Sequence, residues 1–334
     1  MPHTHLLLRS VCYTGQYGVK RCEAALPRAA RMVSRATVDV AGGRMVDDDQ
    51  DVEEFQIACP ICQTHRFQLK GSLKGNGSLQ CPRCVRSFKY NDAFVDMTLT
   101  SGVDMQAYEE PSWLGTQLFQ TSALSYLYER GYRQLFPVWG FPGPDREVEL
   151  AMQYLKPAFG EVIVDLSCGT GLFTRRLAKT GKFSGVIASD FSESMLEQTK
   201  EFLESDAELS GSGSILRVRA DVGRLPFETG TVSAIHAGAA LHCWPSPMAA
   251  MAEISRVLKP GGVFVASTLM PLLTPIGGDN LPNFLAHPEK GAQFRFFKEE
   301  ELQELANTVG LQNFRSHRNR VFILFSVTKP ALEL

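Results

Sequence analysis

The chain has 334 residues, of which 44% are hydrophobic and 21% are charged, and its formal net charge is −2. These values are typical of a globular protein with one full α/β domain and smaller attachments. The near-neutral charge argues against wholesale electrostatic binding to nucleic acid. The sequence has no run of 18 apolar residues, so we expect any membrane association to be peripheral.

The first 46 residues differ in composition from the rest of the chain, because they contain seven basic residues and only two acids. An Arg-rich, acid-poor N-terminus is typical of an organellar transit peptide. The alternative is a disordered basic tail that is never removed. The acidic run Asp47–Asp51 ends this composition, and we expect the mature protein to begin there.

Residues 52–98 contain two C-x-x-C pairs, Cys59 with Cys62 and Cys81 with Cys84, which are 18 residues apart. This spacing predicts a zinc-ribbon-like module in which four thiolates bind one tetrahedral zinc. Four cysteines leave no position for water, so the zinc would be structural. The alternative is a set of redox pairs or unrelated free thiols.

The same module is basic, with six Lys or Arg residues and no acids between Phe55 and Tyr90. Such a surface could bind phosphate or RNA. We favour a solvated surface that balances the charge of a zinc–thiolate centre, because a run of exposed aromatics for base stacking is missing.

Residues 104–157 are predicted to be a helical connector. Its aromatic residues could form an apolar lid over a lipid-like acceptor, although aromatics at mixed spacing are more often core. They are Trp113, Phe119, Tyr126, Tyr128, Tyr132, Phe136, Trp139 and Phe141.

Residues 145–330 alternate between short apolar strands and helices, which predicts βαβ units and a parallel sheet. A helix is expected over Ser246–Leu258, capped by Ser246 and stopped by the Lys-Pro-Gly-Gly run that follows. Pro271–Arg295 is a candidate mobile flap. The other expected elements are strands at Glu161–Leu166, Gly185–Asp190, Ile215–Ala220, Val232–Ala237, Val263–Thr268 and Val321–Thr328, and a helix at Lys298–Val309.

A glycine turn follows the first of these strands and leads into a helix near Leu172. The glycines allow close approach of a ligand, and the helix N-terminus suits a carboxylate. The next two strands end at Asp190 and Asp221, which could bind ribose hydroxyls and an adenine amino group. A nicotinamide dehydrogenase would need a third glycine where Thr174 stands.

The run Asp165–Gly171 resembles motif I of class I S-adenosylmethionine (SAM)-dependent methyltransferases, and later motifs around Asp190, Asp221 and Glu253–Gly262 follow in order. The resemblance lies in the branch that includes ubiquinone- and menaquinone-type enzymes. It implies a Rossmann-like α/β fold with a mostly parallel seven-stranded sheet and helices on both faces. The SAM-binding residues that it implies are Asp165, Ser167, Cys168, Gly169, Thr170, Gly171, Asp190, Phe191, Met195, Asp221, Val222 and Ala237.

This family has glycine where Ser167 stands, so we expect position 167 not to require a glycine-type conformation. His242 is the candidate general base, and its alternative role is a packed, hydrogen-bonded histidine at a strand end. Trp244 either shapes the acceptor pocket or packs.

The whole chain is similar to plant chloroplast methyltransferases of the plastoglobule type, on the four-cysteine unit, Leu124–Gln134 and His236–Pro245. This resemblance implies a plastid location but no known reaction. Our own expectation for the acceptor is a small apolar molecule such as a prenylated quinone or phenol. One rival is an rRNA guanine methyltransferase. That family also has an N-terminal zinc unit, but usually has His where this chain has Cys84. A second rival is a SAM-binding protein that transfers no methyl group.

Overall fold

The computed structural model describes residues 57–65, 67–71, 76–101, 137, 140–210, 213–271 and 295–331. The expected transit peptide, most of the helical connector and almost all of the flap lie outside these residues. Within the described part of the chain, no helix is long and apolar enough to cross a membrane.

The strands of the described residues form one sheet in the order β1-β2-β3-β4-β7-β6-β5-β8-β9-β11-β10. The strands are β1 (Gln68–Gly71), β2 (Gly77–Gln80), β3 (Ser87–Tyr90), β4 (Val95–Asp96), β5 (Val162–Leu166), β6 (Gly185–Asp190), β7 (Ile215–Arg219), β8 (Val232–Ala237), β9 (Leu258–Leu269), β10 (Gln312–Asn319) and β11 (Phe322–Thr328). The helices are α1 (Pro144–Leu155), α2 (Leu172–Lys179), α3 (Glu193–Ser205), α4 (Pro247–Val257) and α5 (Glu299–Thr308), with single 3₁₀ turns at Lys156–Ala158 and Leu241–Cys243.

Strands β5 to β9 are parallel, β11 runs antiparallel to β9, and β10 pairs with β11 at the edge. These five strands and β11 correspond to the six strands that the sequence places, and β10 completes the seven that the family resemblance implies. Buried side chains of α1, α2 and α3 pack on one face of the sheet, and those of α4 and α5 pack on the other. The expected α/β class is therefore confirmed.

The four-cysteine module, here residues 57–65, 67–71 and 76–101, is continuous with the main domain (residues 140–331). Its last strand, β4, pairs in parallel with β7, so that Val95 and Asp96 lie beside Val218 and Arg219. Phe67, Leu79 and Phe88 belong to the same buried cluster as the inner face of α4. The module therefore extends the sheet instead of standing apart from it.

Two details differ from the expected elements. β9 begins at Leu258, directly after α4, where the sequence predicted that a strand would start at Val263. A register shift between β8 and β9 accommodates the Lys-Pro-Gly-Gly run, with Gly261 at φ 79. Strand β10 was not predicted, because it is an edge strand whose residues are mostly exposed and polar.

The shared sheet and core predict that the module and the main domain unfold together. We expect calorimetry of the zinc-loaded chain to show one transition. Phe88→Ala removes a fully buried ring that contacts Phe67 and should lower the free energy of unfolding by about 3–5 kcal/mol. Lys89→Ala, on the exposed side of the same strand, should change it by less than about 0.5 kcal/mol. Two separate transitions, with only one shifted, would contradict the shared core.

Candidate functional site

The carboxyl ends of β7, β6, β5 and β8 lie side by side at the edge where open parallel sheets bind ligands, and we call this edge the crevice. The turn Ser167–Gly171 leaves β5 there and leads into α2, and Asp190 and Asp221 follow the ends of the next two strands. Backbone bonds hold these ends together: Cys168 N–H donates to Ser189 O (3.0 Å) and Ala220 N–H donates to Asp190 O (3.0 Å).

Asp190 is joined directly to the glycine turn. Its Oδ2 accepts a hydrogen bond from the backbone N–H of Gly169 (2.8 Å), and its Oδ1 accepts one from the N–H of Ser192 (2.9 Å). Burial raises the pKa of Asp190 above its ordinary value, although these backbone donors oppose that rise. Each carboxylate oxygen has a second lone pair, so Asp190 retains acceptor capacity for a ligand.

The turn contains three left-handed residues, Ser167 (φ 55), Gly169 (φ 58) and Gly171 (φ 75). The expectation that position 167 avoids the glycine-type conformation is therefore wrong. The Oγ of Ser167 accepts a hydrogen bond from the indole N–H of Trp244 (3.0 Å). Trp244 thus packs across the crevice onto the turn, and this bond helps to hold a non-glycine residue in a costly conformation.

Gly171 is constrained by its neighbour Thr199, because a Cβ on Gly171 would lie 2.7 Å from the methyl carbon of Thr199. Thr199 is fully buried, and its Oγ1 lies 2.8 Å from the carbonyl oxygen of Gly169. Met195, one turn earlier in α3, and Thr170 are also buried. The turn between β5 and α2 therefore packs against α3.

Asp165 lies beneath the turn with both carboxylate oxygens bonded within the protein. Oδ2 accepts from Thr174 Oγ1 (2.6 Å), and Oδ1 lies 2.9 Å from Nδ1 of His236 on β8. Because a carboxylate accepts hydrogen bonds, Nδ1 carries the proton of this pair. The Nε2 of His236 is buried and has no hydrogen-bond partner among the described residues.

The sequence analysis did not single out His236 as a site residue. His236 lies within an otherwise apolar strand, and its pairing with Asp165 across β5 and β8 is visible only in the structure. Gly238, two residues later, leaves space beside the imidazole, since a Cβ there would lie 3.1 Å from His236 Cε1.

Phe191 and Asp221 lie on the side of the crevice that faces the four-cysteine module. Phe191 is 36% exposed, and the guanidinium of Arg219 lies 5.3 Å from its ring centre. Asp221 is exposed, and its Oδ1 accepts from the N–H of Gly223 (2.8 Å). Val222 is half-buried and Ala237 is fully buried at the end of β8.

His242 lies in the 3₁₀ turn that follows β8. It is buried, and its Nδ1 lies 3.2 Å from Thr268 Oγ1 on β9. Both the expected catalytic role and the alternative packed role remain compatible with this contact, because a partner at Nδ1 also fixes the ring orientation.

The pKa values of two thiols in the crevice, Cys168 and Cys243, depend on burial and on nearby carboxylates. Burial raises the pKa of Cys168 well above its usual value, and the nearby charges of Asp190 and Asp165 raise it further. Burial raises the pKa of Cys243 to about 12, with Asp190 adding to the effect. Both thiols therefore stay protonated at neutral pH, beside two carboxylates.

The four expected zinc ligands converge. The Sγ atoms of Cys59, Cys62, Cys81 and Cys84 all lie within 4.8 Å of one another. The two knuckles share one geometry: Gln63 N–H donates to Cys59 O (2.8 Å), and Val85 N–H donates to Cys81 O (2.9 Å). Burial raises the pKa of Cys59, so a thiolate there needs a nearby cation.

Two of the module's basic residues are used within the module. Arg83 Nη1 donates to the carbonyl oxygen of Cys62 (3.3 Å), and Arg86 donates to the carbonyl oxygens of Leu99 and Ser101. Both guanidinium groups therefore stabilise the fold around the cysteines, which favours the expectation of a structural surface over a phosphate-binding patch.

The aromatic lid and the flap lie largely outside the described residues. Phe141, at the C-terminal end of the aromatic segment, is buried and packs on Phe322 of β11 with ring centres 4.8 Å apart. This residue therefore belongs to the core.

Residues 164–266 match a family model described as a methyltransferase domain. Solved structures resemble the fold only loosely: phosphoethanolamine N-methyltransferase 2 of Haemonchus contortus aligns with a TM-score of 0.48 and 14% identity, over 66% of this chain and 58% of that one.

Two curated relatives cover most of the chain. One uncharacterized chloroplastic methyltransferase of Arabidopsis thaliana is 43% identical, over 84% of this chain and 80% of the relative. A second from the same plant is 41% identical over the same shares. A demethylmenaquinone methyltransferase of Clavibacter sepedonicus is 38% identical, over 33% of this chain and 41% of the relative. With the crevice and its motifs, these matches show that the chain belongs to the family of SAM-dependent class I methyltransferases that includes the two Arabidopsis proteins.

Proposed function

We propose that this chain transfers a methyl group from SAM to a small apolar acceptor, such as a prenylated quinone or phenol, in plastids. The observation that carries the acceptor class is the similarity of about a third of the chain to demethylmenaquinone methyltransferases, whose name specifies a quinone. The chloroplastic names of the two longer relatives and the basic N-terminus support the plastid location. Association with plastoglobules is part of the same proposal, and fractionation of plastids tests it.

The residues of the crevice fit the cofactor. Asp190 retains acceptor capacity for the ribose hydroxyls, and Asp221 is exposed at the next strand end for the adenine amino group. The turn at Gly169 and Gly171 presents the N-terminus of α2, which suits the methionine carboxylate. In the same region, the buried Nε2 of His236 has no hydrogen-bond partner among the described residues.

SAM supplies an activated methyl group, so the protein mainly has to align the acceptor, the methyl carbon and the leaving sulfur. For a hydroxyl or activated carbon acceptor, we propose that His242 accepts the proton that the acceptor loses. Thr268 would fix the imidazole in position from β9.

We also propose that the four cysteines bind one structural zinc. The clustered Sγ atoms and the two matching knuckles fit four thiolate ligands and leave no position for a reacting water.

Methyl transfer can be tested with zinc-loaded protein, methyl-labelled SAM and a plant plastid extract that is then separated into lipid, RNA and protein. We expect label in the lipid fraction. Asp190→Ala should weaken SAM binding about 10–100-fold, because it removes a charged hydrogen-bond acceptor. Asp206→Ala, at the surface end of α3, is the matched control and should retain labelling. Label in RNA would contradict the apolar acceptor, and SAM binding without any labelled product would support a non-catalytic protein.

The role of His242 can be tested once a labelled acceptor is found. His242→Gln should lower the methyl-transfer rate about 10²–10⁴-fold, while the Kd for SAM stays within about twofold, because the base acts on the acceptor proton. Thr268→Val keeps the imidazole but removes its partner and should give a smaller loss. An unchanged rate in His242→Gln would assign the residue to packing.

The zinc site predicts one zinc per chain by atomic spectroscopy. Cys62→Ser and Cys84→Ser should each lose the metal and lower the unfolding temperature, because metal binding contributes folding free energy. Cys243→Ser removes a thiol outside the cluster and should leave the stoichiometry at one. Purified protein without bound metal after growth in zinc would contradict the site.

A further inference from the structure

We propose that the four-cysteine module positions the adenine side of the SAM site, and that Arg219 is the positioning residue that connects them. The proposal rests on the proposed location of the cofactor. It gives the module a role in cofactor affinity, whatever the acceptor.

Arg219, the last residue of β7, contacts both sides of this connection. Toward the module, its Nη1 lies 3.2 Å from Asp96 Oδ2 on β4. Toward the cofactor site, the same Nη1 lies 2.7 Å from Glu193 Oε1 in the first turn of α3. Its Nε donates to the carbonyl oxygen of Phe191 (3.0 Å), and the guanidinium lies near the ring of Phe191.

The ion pair between Arg219 and Asp96 is buried, so the positions of its two partners are closely constrained. Arg219 is 5% exposed and Asp96 is 8% exposed, so the loss of either partner leaves a charge in a site with little water. Asp96 is itself held by the N–H of Thr98 (3.0 Å) and by the Thr98 hydroxyl (2.7 Å). The position of β4 therefore determines where Arg219 holds Phe191 and the start of α3.

A second connection runs through the loop after β7. The carbonyl oxygen of Asp221 accepts from the N–H of Arg224 (2.9 Å). The Nε of Arg224 donates to the carbonyl oxygen of Pro60 (2.6 Å), which lies between the two cysteines of the first knuckle. Asp221, which we propose binds the adenine amino group, thus lies three residues before Arg224, whose side chain binds the first cysteine knuckle.

Backbone bonds lock the same loop to the module. Ala58 N–H donates to Pro226 O (2.7 Å), and Met97 N–H donates to Arg219 O (2.8 Å). His65 Nδ1 also lies 2.6 Å from Glu228 Oε1. A shift of the module would therefore displace both Phe191 and Asp221.

Arg217 provides a matched control for Arg219. It lies two residues earlier on the same strand, is equally buried, and donates to the module's carbonyl oxygens at Asp92 (2.8 Å) and Ala93. It lies farther from the carboxyl end of the sheet, where the cofactor would bind. Loss of Arg217 should lower the stability of the protein without removing the contact to Phe191.

The test measures the Kd for SAM by calorimetry and the unfolding temperature of the zinc-loaded full chain. Arg219→Gln should raise the Kd about tenfold or more, while Arg217→Gln lowers the unfolding temperature comparably and leaves the Kd within about twofold. Asp96→Asn should reproduce the rise in Kd, and the double variant with Arg219→Gln should add little to it. Unchanged Kd values, or rises that merely follow the loss of stability in all variants, would overturn the proposal.

A second arm removes zinc with a chelator and measures SAM binding at a temperature where circular dichroism shows a folded main domain. We expect weaker SAM binding and its recovery when zinc is returned. Arg224→Ala should weaken SAM binding with zinc still bound, so the test remains decisive if the metal-free chain unfolds.

Wild-type protein that binds no SAM would refute the proposed function. Wild-type binding with no difference in Kd among the variants would refute only this inference.

Discussion

The parallel pairing of β4 with β7 is the constraint on which the arrangement of the whole molecule depends. An uncovered β7 would present its unpaired backbone groups at the edge of the main sheet. The module covers that edge with a strand of only two residues, Val95 and Asp96, which would be too short to hold by itself. The buried arginines of β7 add side-chain contacts to the module, so the sheet, the cysteine knuckles and the cofactor crevice form one continuous structure.

This arrangement explains why a basic, cysteine-rich segment need not be a substrate-binding attachment. Arg83 and Arg86 bind carbonyl oxygens inside the module, and Arg224 reaches it from the main domain. The carbonyl groups of the tight cysteine knuckles cannot all be paired by a ladder of strands, so nearby guanidinium groups provide the missing donors. The folding of the module thus accounts for Arg83 and Arg86, two of its six basic residues.

The sequence was sufficient to predict the features that depend on neighbours along the chain. Strands β6 and β8 have the expected bounds, Ser246 caps α4 as expected through the N–H of Ala249, and the four cysteines converge. It could not predict contacts between distant segments, such as Arg219 with Asp96, because their partners are 123 residues apart. The left-handed Ser167 was missed for the same reason: Trp244, which binds its side chain, lies 77 residues later.

The charge of the crevice fits the chemistry of a methyl donor. Burial raises the pKa of Cys168, and the neighbouring charges of Asp190 and Asp165 raise it further, so this thiol lies away from water and beside negative charge. Such a site stabilises a positively charged ligand more than a neutral one. The sulfonium of SAM is positive, and its charge is lost when the methyl group leaves. The same two carboxylates would therefore favour binding of the donor over retention of the demethylated product, without contacting the acceptor at all.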